Sequence, residues 1–143
     1  MHALGVRLGS ALTAGDVVVL VGPLGAGKTT LTRGIGDGLG VRGPVTSPTF
    51  VLARTHPSLV GGPPLVHVDA YRLGSAAELD DLDIDLERSV VVAEWGEGML
   101  ESESMLTVTI VRPTAGGGED AEAEPRRVRI EGSGPRWATG TPA

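Results

Sequence analysis

The chain has 143 residues, a net charge of −6, 41 % hydrophobic residues and no cysteine. That length and apolar fraction fit one folded domain with its own core and exclude a disordered chain, while the missing Cys excludes disulfide scaffolds, thiolate metal sites and cysteine nucleophiles. No apolar run reaches the roughly 18 residues of a membrane span, the N-terminus lacks a signal-peptide layout, and the acidic balance speaks against a surface that itself grips nucleic acid.

Residues 2–13 read as a short amphipathic helix, with Leu4, Leu8, Ala11 and Leu12 at helical spacing and Gly15 as its left-handed stop. Val17 to Val21 (VVVLV) is apolar on both faces and predicts a central strand covered on both sides. Residues 28–39 (KTTLTRGIGDGL) predict a helix with Leu31, Ile35 and Leu39 in one stripe. Gly34, Gly36 and Gly38 each cost about 1 kcal/mol against Ala there, which close packing against the sheet would explain. Residues 40–48 form a loop rich in Gly, Pro, Ser and Thr, and Phe50 to Arg54 a strand. A second loop runs from His56 to Pro64, and Leu65 to Asp69 (LVHVD) is a strand. Ser75 is placed to cap a helix over 76–81, with Glu78 completing a capping box. Val90 to Ala93 is another buried-type strand, ending in Glu94 and Trp95. Leu106 to Arg112 and Arg127 to Glu131 alternate as strands around a Gly-rich, acidic loop at 113–125. Residues 132–143 read as a flexible C-terminal tail, leaving 1–131 as a single domain. Strands alternating with helices, then strands alone, predict a three-layer α/β fold with an antiparallel edge.

The segment Gly22-Pro23-Leu24-Gly25-Ala26-Gly27-Lys28-Thr29 matches the phosphate-loop pattern G-x-x-x-x-G-K-[ST]. Glycines let successive backbone N–H groups converge on phosphate oxygens with no Cβ in the way. The helix that follows adds free N–H groups and the positive end of its dipole. A Lys in this position reaches the β- and γ-phosphates, and the next hydroxyl binds Mg²⁺. Glycine pairs five apart are cheap in a chain with 22 Gly, but this one follows a predicted strand, opens a predicted helix and holds the single Lys of the chain. The other cations are all Arg, so the lone Lys marks a place that needs a compact ammonium. A chain without Asn, its Lys already committed, cannot supply the Asn-Lys-x-Asp guanine reader, which favours adenine.

Two predicted strands end in a carboxylate, Asp69 and Glu94. Ligands of open α/β sheets sit outside the carboxyl ends of the strands, so both acids are placed to face the loop. One can hold Mg²⁺ while the other orients or deprotonates the attacking water; the alternative is a pair of solvated strand-end acids. His67, inside an apolar strand, fits a core histidine better than a ligand. Thr49, in Ser47-Pro48-Thr49-Phe50, suits either a nucleotide-sensing loop or an ordinary turn before a strand. Trp95 can pack on a nucleotide or serve the core. The acidic run from Glu78 to Glu87 is a solvated face or a docking surface.

Four segments in order, GPLGAGKTT at 22–30, SPTF at 47–50, HVDAYRL at 67–73 and AEW at 93–95, resemble the TsaE family of small bacterial P-loop ATPases. The resemblance covers residues 4–131. It implies a P-loop NTPase-like α/β fold with a mixed, mainly parallel sheet, and ATP hydrolysis with Mg²⁺ in support of tRNA N6-threonylcarbamoyladenosine synthesis. It also implies partners TsaB and TsaD, the latter performing the transfer, with tRNA reached through them; the missing span and signal layout make the cytoplasm the default location, with no membrane contact. In this family's pattern, nucleotide contacts fall on Gly22, Leu24, Gly25, Ala26, Gly27, Lys28, Thr29, Thr30 and Trp95. Mg²⁺ falls on Thr29 and Glu94, and the catalytic roles on Lys28, Asp69 and Thr49. Family members usually carry a further segment with a Thr and a short strand ahead of the first helix, so contacts to the base are left out of this assignment. A small-molecule P-loop kinase and a non-catalytic nucleotide-binding scaffold are the alternatives.

Overall fold

A computed structural model describes residues 1–23, 27–43, 45, 53–69, 84–94, 104–111, 127–138 and 140–141. Among the described residues, two helices, α1 (His2–Ala11) and α2 (Lys28–Leu39), accompany six strands: β1 (Val17–Val21), β2 (Ala53–His56), β3 (Leu65–Asp69), β4 (Val90–Glu94), β5 (Met105–Val111) and β6 (Arg127–Ser133). The strands form one sheet in the order β2-β3-β4-β1-β5-β6. The four inner strands are parallel, and both edge strands pair antiparallel. This is the mixed, mainly parallel sheet with antiparallel edges that the sequence predicts. The apolar runs occupy the middle because only a strand covered on both faces tolerates them: four of the five residues of β1 and all five of β4 are buried. The edge strand β6 instead alternates between half-buried and exposed positions along its first half.

The sheet has two apolar faces. On one, Leu8 and Leu12 of the α1 region and Leu31, Ile35 and Leu39 of α2 pack with Val18, Leu20, Leu65, Val90, Val92, Leu106, Val108 and Ile110. On the other, Val17, Val19, Val66, Val68, Val91 and Ala93 pack with the partly buried Ile84 and Leu86. The helix expected over 76–81, with its cap Ser75, and the loop expected at 113–125 lie outside the described residues.

Four local expectations change. Helix α1 stops at Ala11, capped by an extended Leu12, and Gly15 (φ 96°) serves the turn into β1 instead of the helix end. Strand β2, described over Ala53–His56, runs past Arg54 into the expected loop because Thr55 and His56 pair with Val66 and Leu65; the expected start at Phe50 lies outside the described residues. Strand β6 continues through Gly132 and Ser133, read from the sequence as tail, and a 3-10 turn at Pro135–Trp137 follows. That turn is fastened: Arg136 Nε lies 2.8 Å from Asp16 Oδ1, and its Nη2 donates to the Ala11 carbonyl at 2.6 Å. Asp16 is buried at 1 % exposure and also accepts hydrogen bonds from the Thr13 amide and the Ser104 hydroxyl.

The fourth change concerns the glycines of α2. Gly34 and Gly38 pack against α1, where the sequence suggests the sheet. A Cβ on Gly34 would meet the His2 carbonyl and lie 2.8 Å from Gly5 Cα; one on Gly38 would meet the Val6 carbonyl. From the other side, Gly5 faces the Leu31 carbonyl and Gly9 the Ile35 carbonyl. The pairs 5/9 and 34/38 are each four apart, on one helical face, so the helices meet backbone to backbone. Only Gly36 turns toward other apolar groups, among them Val45 and Leu65.

Gly9→Ala is expected to lower stability by about 1–3 kcal/mol through overpacking. Gly62→Ala should leave stability nearly unchanged, since its added Cβ meets only Ser58 Oγ at 3.6 Å. Urea denaturation of the two variants beside the parent checks both.

Candidate functional site

Parallel pairing brings the carboxyl ends of β1, β3 and β4 into one row, with Asp69 opposite Glu94 and Glu94 opposite Leu20. Side chains alternate between faces along a strand. Leu65, His67 and Asp69 of β3 therefore share the helix-covered face with Val90, Val92 and Glu94 of β4. One residue past β1 the chain reaches Gly22, and α2 opens at Lys28 after Gly27, whose φ of 108° is reserved for a residue without a side chain. The start of α2 thus stands beside the row of strand ends.

Lys28 is buried at 6 % exposure. Its Nζ donates to the Gly22 carbonyl at 2.6 Å and to the Pro23 carbonyl at 3.2 Å, folding the ammonium back over its own loop. Burial pushes its pKa below the ordinary lysine value, and the negative charges of Glu94 and Asp69 push it back up. The two acids and the ammonium, separated in sequence by dozens of residues, therefore act on one another in one place. Glu94 is also buried at 6 %, whereas Asp69 is half-buried. Thr29 is half-buried on the first turn of α2, and Thr30 is exposed. Thr32 is fully buried, and its hydroxyl donates to the Lys28 carbonyl at 2.8 Å, holding that turn.

The structure therefore gathers Lys28, Asp69 and Glu94, with Gly22, Gly27 and Thr29 alongside. Leu24, Gly25, Ala26, Thr49 and Trp95 lie outside the described residues. His67, which the sequence leaves as a core residue, is fully buried with Nε2 3.5 Å from Glu94 Oε2. A signal was present: a residue two before Asp69 on a strand shares its face. The arrangement can bind a polyanion through the ammonium and the helix start, and a hard cation through carboxylate and hydroxyl oxygens.

Behind this row, His56 on β2 is buried at 6 %, and its Nδ1–H donates to the Arg42 carbonyl at 3.2 Å. Burial lowers its pKa from the ordinary 6.5; the Arg42 carbonyl opposes this, and His67 and Arg54 add to it.

A family model described as threonylcarbamoyl adenosine biosynthesis protein TsaE matches residues 1–118. The tRNA threonylcarbamoyladenosine biosynthesis protein TsaE of Streptomyces coelicolor is 59 % identical over 144 aligned positions, covering 97 % of this chain and 95 % of that protein. The protein of the same name from Bacillus subtilis is 39 % identical over 108 positions, 73 % of this chain and 66 % of that one. The crystal structure of YdiB from Bacillus subtilis superposes with a TM-score of 0.68 at 30 % identity, covering 96 % of this chain and 82 % of its own.

A base whose pKa is lower in the folded state leaves the unfolded chain holding more protons, so stability rises with pH. For His56 that loss sets in as pH falls through about 6.5. The melting temperature should therefore drop between pH 7.5 and 5.5 more steeply in the parent than in His56→Asn, which keeps a donor for Arg42. Parallel slopes in the two thermal-melt series would contradict it.

Proposed function

The chain belongs to the TsaE family and serves tRNA threonylcarbamoyladenosine biosynthesis; from that premise we propose that it binds and hydrolyses ATP with Mg²⁺, in complex with TsaB and TsaD homologues. The observation that carries this reading is that Asp69 and Glu94, paired at neighbouring strand ends, act electrostatically on the buried Lys28 of a G-x-x-x-x-G-K-T motif. In the proposed complex, Lys28 exchanges the Gly22 and Pro23 carbonyls for β- and γ-phosphate oxygens. The amides from Gly25 to Thr29 surround the same phosphates. Asp69 orients the attacking water and takes its proton, the water oxygen bonds to the γ-phosphorus, and the bond to the bridging oxygen breaks to release ADP.

The donors available for Mg²⁺ are the Thr29 hydroxyl and the Glu94 carboxylate, both hard oxygens of the kind that ion takes. Bound there, it would neutralise charge on the β- and γ-phosphates. Thr49 is assigned to nucleotide sensing and Trp95 to nucleotide contact on the family pattern alone. Catalysis on this reading is positioning and charge neutralisation, with no covalent intermediate. Among the described residues no helix is long and apolar enough to cross a membrane. The cytoplasm, where tRNA is modified, is the proposed location. The acidic balance of the chain, at −6, assigns most of the RNA contact to the partners.

Lys28→Ala and Thr29→Ala should each lower ATP hydrolysis by roughly 100-fold or more while the far-ultraviolet spectrum stays native. Normal turnover in either variant would refute the site. The product of the parent enzyme should be free phosphate; a phosphorylated organic product would identify a kinase instead. Turnover at saturating ATP should rise when both partners are added, and equal rates with and without them would refute activation.

A further inference from the structure

The site contains a polar group that nothing so far uses. His67 is fully buried, yet among the described residues neither its Nδ1 nor its Nε2 has a hydrogen-bond partner. Buried polar atoms are nearly always paired, and an unpaired one calls for a specific reason. Packing alone does not supply one. A leucine would fill the same face with no desolvation cost, and that face of β3 already carries Leu65 two residues earlier. The ring is not aimed at random. Register sets His67 opposite Val92, so Glu94, two residues further along β4, is its diagonal neighbour on the same face. Nε2 stands 3.5 Å from Glu94 Oε2, a small side-chain rotation short of a hydrogen bond.

We propose that His67 is the positioning residue of Glu94: its Nε2–H donates to Oε2 and so fixes the carboxylate plane, leaving the other carboxylate oxygen for the divalent cation. Without such a donor a glutamate head group turns about its last bond, and each metal-binding event would pay to freeze it. Histidine suits the task because its donor sits on a rigid ring with two rotatable bonds, here clamped within the core. Carboxylates that hold metal ions are commonly held in turn by an outer hydrogen bond of this kind. Asp69 follows two residues later on the same strand face, so β3 would carry both the outer support of the cation site and the group that meets the water.

The inference rests on the reading of Glu94 as a cation-holding carboxylate, and its test separates the two. ATP binding to the full-length chain is measured by calorimetry with Mg²⁺ and again in EDTA. His67→Leu is expected to weaken binding about 10- to 100-fold with Mg²⁺ and to leave binding in EDTA and the melting temperature unchanged. His67→Gln, whose amide can reach the same place, should recover most of the loss. In a Glu94→Gln background, His67→Leu should have little further effect.

Equal weakening in both conditions, or no weakening in either, overturns the proposal, as does a loss that His67→Gln fails to recover. A parent chain that gains nothing from Mg²⁺ overturns the cation reading of Glu94 itself. If His67→Leu does not fold, His67→Gln and Glu94→Gln, singly and together, still decide the question: additive losses of Mg²⁺-dependent affinity overturn the proposal, and a single shared loss supports it.

Discussion

A buried ammonium constrains everything around it. Lys28 pays for its burial in lost hydration, and two carbonyls of its own loop and two carboxylates from other strands favour the charged form. Those carboxylates must arrive from strands that run in the same direction and end at the same level as β1. That demand is met by setting β4 directly beside β1 and β3 beside β4. An antiparallel strand in either place would present its opposite end. The antiparallel pairs are accordingly found at the edges of the sheet.

The helix-side face of the sheet is graded along its length. On β3 it passes from Leu65 through His67 to Asp69, and on β4 from Val90 through Val92 to Glu94. Near the strand starts, α2 and α1 bury aliphatic groups; near the strand ends, the same alternation delivers polar and then charged ones. One pleat separates the core from the chemistry. The Asp16–Arg136 pair lies near the other end of β1, where its exchange of charge and hydrogen bonds joins four segments of the chain.

Much of this was legible in the sequence because local pattern and tertiary role agree there. VVVLV and LVHVD form strands with the bounds read from them, and KTTLTRGIGDGL forms a helix with the bounds read from it. The motif, the single Lys and the two strand-end acids pointed to the residues that the fold brings together. The illegible parts depend on partners distant in sequence. Ala53 to His56 is a strand because β3 pairs with it, not because its residues are apolar. Arg136 looks like any tail arginine until Asp16, 120 positions away, is placed beside it. His67 reads as core by composition, and it is buried as core; its interest lies in which acid it meets. Gly34 and Gly38 signalled close packing but not the identity of the neighbour.

That neighbour has a bearing on how the two helices can change over generations. A leucine in a side-chain core can be exchanged against its surroundings, because a bulkier residue here is offset by a smaller one there. Where Gly5, Gly9, Gly34 and Gly38 meet carbonyl oxygens, the obstacle is main chain, which no substitution can trim. A side chain added there is accommodated only by moving one helix away from the other. Substitution at any of these four positions is therefore felt as a change in the depth at which α1 settles on α2, whatever the neighbouring side chains are.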